Sequence, residues 1–286
     1  MLPEEQELSQ NLFILGAGFT KAIFPNAPLN DELLFNLIGK KPNTSPLGRV
    51  WSEYSSSNIE VLLTKFDLDL ISGNSKFTSK DRDAINSQLA KFVSQYRFEA
   101  DIPWLHPILH TISDNDVIAS LNYDCFLEGF LDFHGAWSPK GGYHNIPKPL
   151  ENSLPENDRN IRILKLHGSE SFRLSHFDDK PGSVLVGIEI NAALFPRSGK
   201  NVHDLGGGFD SRPYLIAPSF AKQFVRELQY LMLDAIRFAR SARNLIIIGC
   251  GLRPEDSHLW LVITSFLKTK LWKKRELSSL AQAQRS

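Results

Sequence analysis

Short runs of branched and aromatic residues alternate along the chain with longer stretches of helical periodicity. Leu12, Phe13, Ile14 and Leu15 form an apolar run closed by Gly16, which predicts a buried first strand. A helix start over Phe19 to Phe24 follows, closed by Pro25, and residues 29–38 repeat with helical spacing. Residues 40–57, rich in Ser, Pro, Lys and Asn, predict a loop with at most a short turn. Residues 58–70 predict a helix capped by Asn58, with further helices over 81–97 and 102–112, the last accepting Pro103 in its first turn. Val117 to Leu121 and Ile161 to Leu166 predict two more strands, with a helix over 124–132 between them. Residues 135–160 read as irregular. Strands over 183–188 and 213–217, a mobile glycine-rich segment over 196–212 and a long helix over 220–242 follow. Leu245 to Ile248 is a strand of branched aliphatics ended by Gly249, and a helix is expected from near Glu255.

Apolar strands separated by helices predict an α/β fold, a Rossmann-like and largely parallel sheet covered by helices. No linker divides the chain, so residues 1–286 read as a single domain, with 26–112 as a helical insertion or subdomain within it.

Composition narrows the setting. The 32 basic and 32 acidic residues balance, so nucleic acid and anionic membrane surfaces receive no global electrostatic attraction. Lys268, Lys270, Lys273, Lys274 and Arg275 make a local basic cluster, best read as the wet face of a terminal helix. No apolar run is long enough to span a membrane. The opening Met1-Leu2-Pro3-Glu4-Glu5 is acidic, unlike a signal peptide, and the expected location is cytoplasmic. With only 2 cysteines, Cys125 and Cys250, a four-thiolate zinc module is ruled out and a reducing compartment fits.

Candidate chemistry gathers at the predicted strand ends. Gly16-Ala17-Gly18 follows one strand and precedes a helix, the arrangement that lets a pyrophosphate approach backbone N–H groups. It has two of the three glycines of the dinucleotide fingerprint, and Thr20-Lys21 lacks the glycine lead of a P-loop. A dehydrogenase is disfavoured: Asp31 and Glu32 lie in a helical pattern, not after a second strand where an acidic ribose ligand belongs. Asn122 and Asp124 follow the second strand, His167-Gly168 the third, and Gly249 the last. In a parallel sheet these ends meet on one side, where ligands bind. Each also has an ordinary reading: a satisfied histidine, an Asn bonding to the backbone of a turn, an Asp capping a helix.

Taken in order, Gly16-Ala17-Gly18, Asn122-Tyr123-Asp124, Lys165-Leu166-His167-Gly168 and Ile247-Ile248-Gly249-Cys250-Gly251-Leu252, continuing to Asp256 and His258, resemble the sirtuin superfamily, and more closely its divergent bacterial NAD-hydrolysing branch. The resemblance covers roughly residues 11–262. It implies a sirtuin-like nucleotide-binding fold with NAD⁺ as substrate, Asn122, Asp124 and His167 in catalysis, and Gly16, Ala17, Gly18, Thr20, Gly168, Gly249 and Gly251 around the dinucleotide. The implied reaction is hydrolysis of the nicotinamide–ribose bond to nicotinamide and ADP-ribose, in the branch commonly an effector of antiphage defence. The missing cysteines mean that no zinc is expected. They also count against protein deacylation, the first alternative; a catalytically silent NAD- or ADP-ribose-binding regulator is the second. A homo-oligomer and a separate regulatory or phage-sensing protein are the partners such enzymes use, while membrane and nucleic acid are not expected.

Overall fold

The computed structural model describes residues 11–39, 44–143, 159, 161–177, 185–191, 194–198, 213–220, 226–253 and 256–283. A four-stranded parallel sheet holds β1 (Asn11–Leu15), β2 (Val117–Ser120), β3 (Arg162–Lys165) and β7 (Asn244–Ile248) in the order β3-β2-β1-β7. Three of them, β1, β2 and β7, come from unbroken apolar runs, as a sheet covered on both faces favours, whereas β3 interrupts its apolar residues with Arg162 and Lys165. β2, at the centre, is buried along its whole length. The register of β1 on β2 is pinned at its start: Asp116 accepts from the backbone N–H of Asn11 (2.8 Å) and from its side-chain amide.

Helices α1 (Ala17–Ile23), α7 (Phe126–Phe133), α9 (Arg226–Ser241) and α10 (Ser257–Ala283) follow or cover this sheet. Their apolar faces and the strands share one core, with Phe126, Phe130, Leu231, Ala235, Leu259 and Val262 among its members. Among the described residues between α1 and β2 the regular elements are helical: α2 (Asn30–Ile38), α3 (Pro46–Tyr54), α4 (Ile59–Ser72), α5 (Ser79–Val93), a 3-10 turn (Pro103–Leu105) and α6 (His106–Thr111). Helices α2 to α5 form a second core around Leu34, Leu47, Val50, Leu62 and Phe66, which also receives Leu215 and Ala217. Asn58 caps α4 as expected, its Oδ1 accepting from Glu60 and Val61 N–H.

Three expectations are corrected. Residues 40–57 are not simply a loop: Ser45 accepts from Gly48 N–H, Pro46 opens the first turn, and buried Leu47 and Val50 anchor α3 to the insertion core. The expected single helix over 102–112 is a 3-10 turn followed by α6. The strand near 213–217, β6 (Pro213–Leu215), does not join the parallel sheet. It pairs antiparallel with β4 (Gly168–Phe177), which also pairs with β5 (Leu185–Ile190), in a separate sheet of order β5-β4-β6. A short α8 (Pro139–Gly142) lies in the stretch read as irregular. The expected glycine-rich segment falls largely outside the described residues, as do residues 221–225 of the long predicted helix. Among the described residues no helix is long and apolar enough to cross a membrane.

Candidate functional site

β1 has β2 on one side and β7 on the other, so the chain leaves the sheet in opposite directions at the carboxyl end of β1. Open α/β sheets bind ligands at such switch points. A cavity of about 470 Å³ lies there, within the range of small-molecule sites. It is lined by the turns after β1, β2, β3 and β7, the α1–α2 connection, the start of α4 and the end of α5. Gly16, Ala17, Gly18, Thr20, Asn122, Asp124, His167, Gly249 and Gly251 all line it.

The two glycine turns pack on each other, and that contact explains their composition. Gly16 N–H donates to Ile248 O (3.0 Å) and Gly18 N–H to Gly249 O (2.9 Å). A Cβ on Gly16 would lie 2.7 Å from Gly249 O and from Cys250 Sγ, and one on Gly18 2.8 Å from Gly249 Cα. A Cβ on Gly249, whose φ is +66°, would lie 2.2 Å from Phe19 N. The glycines are therefore demanded first by backbone-to-backbone packing, before any ligand approaches. Two of the three amides in the β1 turn are already occupied; among the described residues no acceptor pairs with Ala17 N–H. Gly251 differs, since a Cβ there meets only the Arg253 side chain at 3.5 Å. Gly168 does not line the cavity. Its φ of +76° and its contact with Tyr214 O and Leu215 Cα place it in the β4–β6 crossing.

Asn122, Thr20 and Asp124 form a closed polar hub. The Asn122 amide nitrogen donates to Gly16 O (3.1 Å) and to Thr20 Oγ1 (3.0 Å), and Thr20 Oγ1 donates to Asp124 Oδ2 (2.9 Å). Gly16 O can only accept, so the amide orientation follows from chemistry. Both amide hydrogens are then used, and among the described residues no donor reaches Asn122 Oδ1, which is left for a ligand or water. Asp124 is not the helix cap anticipated, since the N-cap of α7 is Cys125; one residue earlier, its Oδ1 accepts from Phe126 N–H (3.2 Å) and braces the turn into the helix. Burial raises the Asp124 carboxyl to about 6, against the opposing pull of Lys165.

Lys165 sits beneath this turn. Its Nζ donates to the Asp124 carbonyl (2.6 Å) and pairs with Glu128 (3.0 Å), both side chains only 1% exposed. Tyr143 Oη donates to the same Glu128 carboxylate. The lysine before His167 is thus a buried strut that holds the Asn122–Asp124 turn against β3. His167 lies beside it at the cavity wall and is 9% exposed. Its ring lies 6.1 Å from that of Tyr123 and 6.4 Å from that of His258, while its carbonyl accepts from Ile216 N–H. Tyr123 Oη donates to Ile216 O (2.7 Å), tying the same two turns together.

Several lining residues lie outside the sequence motifs. Glu60, 5% exposed, accepts from Arg253 (3.0 Å) and Asn30 (3.1 Å), and with Asp256 they give one end of the cavity its charge. Tyr96, Phe92, Leu29 and Leu33 supply an apolar wall. Arg253, two residues beyond Gly251, carried a readable signal as a charge in a glycine turn. Glu60 did not, because an acidic residue in the first turn of a helix is routine.

No family model matches the chain, and a search of curated proteins finds no match. The fold and its switch-point cavity are compatible with binding a nucleotide or cofactor.

Proposed function

We propose that the chain is a NAD⁺ glycohydrolase, splitting the nicotinamide–ribose bond to nicotinamide and ADP-ribose. The observation that carries this reading is the convergence of Asn122 and His167, from different strands, on one cavity at the carboxyl edge of a parallel sheet. The ordered motifs that resemble the divergent bacterial sirtuin-like branch name the dinucleotide; the geometry supports a ligand of that kind.

Nicotinamide leaves with the bonding electron pair and becomes neutral, so no acid is needed at the leaving group. Positive charge builds on the ribose, water adds at the anomeric carbon, and its proton passes to His167 as general base. Asn122 Oδ1 accepts from that water or from a ribose hydroxyl and orients it. Asp124 acts one step back, through Thr20 and the turn it braces. Ala17 N–H is the amide of the first turn available to the pyrophosphate, and Arg253 with Glu60 faces the far part of the dinucleotide. The role in antiphage defence follows from the resemblance alone.

The test is incubation with NAD⁺, with and without an acetyl-lysine peptide, with products read by mass. Nicotinamide and ADP-ribose formed without peptide support hydrolysis. O-acetyl-ADP-ribose formed only with peptide would replace it by deacylation.

A further inference from the structure

Away from the cavity, at the opposite end of α7, three side chains from separate segments point donor atoms at one another. Asp101 lies just ahead of the 3-10 turn, His106 opens α6, and His134 caps α7. His106 Nε2 is 2.9 and 3.0 Å from the two Asp101 carboxylate oxygens, and His134 Nε2 is 3.0 Å from Oδ1. One donor atom from each residue lies within 4.8 Å of the others. The geometry points to a zinc site with Asp101, His106 and His134 as its three protein ligands and a fourth position open to solvent.

The chemistry selects the ion. Two imidazoles and one carboxylate are a mixed nitrogen and oxygen set that suits Zn²⁺, whereas Mg²⁺ and Ca²⁺ prefer oxygen alone. Bonds of about 2.0–2.1 Å in a tetrahedron place ligand atoms about 3.3–3.4 Å apart. The nitrogen–oxygen distances therefore need to open by only a few tenths of an ångström. The two rings close towards each other, and side-chain exposures of 36, 37 and 21% leave room for that movement and for the ion to arrive. The rings are not loose: His134 packs 4.8 Å from Phe130 and 5.1 Å from Phe133, and His106 lies 6.4 Å from Phe130. Without metal the same atoms form a carboxylate bridged by two N–H groups. Zinc takes the place of those shared protons and clips α7 to the start of α6.

The test uses the full chain, tag-free and stripped of metal. Calorimetric titration with Zn²⁺ should give one ion per chain, and Co²⁺ should give the visible absorption of a tetrahedral site. Asp101→Ala, His106→Ala and His134→Ala should each weaken binding more than about 100-fold, beyond the loss typical of a residue that only hydrogen-bonds to a metal ligand. Cys125→Ser and Cys250→Ser should leave it unchanged. Circular dichroism checks that each variant is folded, and Zn²⁺ should raise the melting temperature of the wild-type chain but not of Asp101→Ala. Failure of the wild-type chain to take up Zn²⁺, or uptake indifferent to all three ligand substitutions, would overturn the assignment.

Discussion

Gly249→Ala and Gly251→Ala are chemically the same change two residues apart, and the structure separates them widely. At Gly249 the backbone has φ +66°, where an alanine costs about 1–2 kcal/mol. Its Cβ would lie 2.2 Å from Phe19 N and 2.6 Å from Gly18 C, both backbone atoms that cannot rotate away. The turn must retreat by about 1 Å, stretching the bond from Gly18 N–H to Gly249 O, whose loss adds about 1 kcal/mol. A total of roughly 3 kcal/mol should lower the melting temperature by about 5 °C for a chain of this size. At Gly251 the nearest atoms are Arg253 Cγ and Cδ at 3.5 and 4.0 Å, so alanine should stay within about 0.5 kcal/mol of wild type. Urea unfolding followed by tryptophan fluorescence measures both, and calorimetry with NAD⁺ should show weaker binding for Gly249→Ala because the β1 turn moves with it. Equal unfolding midpoints for the two variants would refute the idea that interlocking turns, rather than ligand contact, require these glycines.

Three further outcomes are expected. His167→Ala and Asn122→Ala should each reduce nicotinamide release by about 10²–10⁴-fold in a chain that still unfolds cooperatively, Asn122→Ala at a lower urea concentration by roughly 1–3 kcal/mol because its buried bonds to Gly16 O and Thr20 Oγ1 are lost, and full turnover in both would remove them from the chemistry. Lys165→Met should cost about 3–5 kcal/mol by leaving Glu128 charged and unpaired in the core, and Glu128→Leu in the same chain should recover part of that; an unchanged midpoint for the single variant would contradict the strut. The Asp124 carboxyl is raised from 3.8 to about 6, so the folded chain binds its proton more tightly than the unfolded chain. Its contribution to stability is therefore full below about pH 4 and is lost as pH rises through about 6. Unfolding free energies compared between wild type and Asp124→Asn across that window should show the difference, and parallel curves would sink it.

Three strands of the parallel sheet were legible because unbroken apolar runs ending in glycine or a polar turn have few other readings, and β3 was legible from Ile161, Ile163, Leu164 and Leu166 despite Arg162 and Lys165. Leu12–Leu15 and Leu245–Ile248 each meet that description and lie side by side. α3 was hidden by its composition: Ser45, Pro46, Gly48 and Arg49 look like a loop until Leu47 and Val50 are seen to be buried in a neighbouring helical core. β4 was missed because Gly168-Ser169-Glu170-Ser171 has no apolar alternation; its buried serines bond to one another and to Cys125 and Tyr143 instead. At the site, the positions of Gly16, Gly18 and Gly249 were readable, but their physical reason was not, since it depends on which two turns touch. The placement of Glu60 at the cavity, and of Gly168 outside it, depends on tertiary packing that no local pattern encodes.

A structure of the Asn122→Ala chain soaked with NAD⁺ examines the site most directly, because the substitution slows turnover. The expected result is an intact dinucleotide along the carboxyl edge of β1, with the nicotinamide ribose beside His167 and position 122. NAD⁺ seated elsewhere, or absent at saturating concentration, would contradict the account.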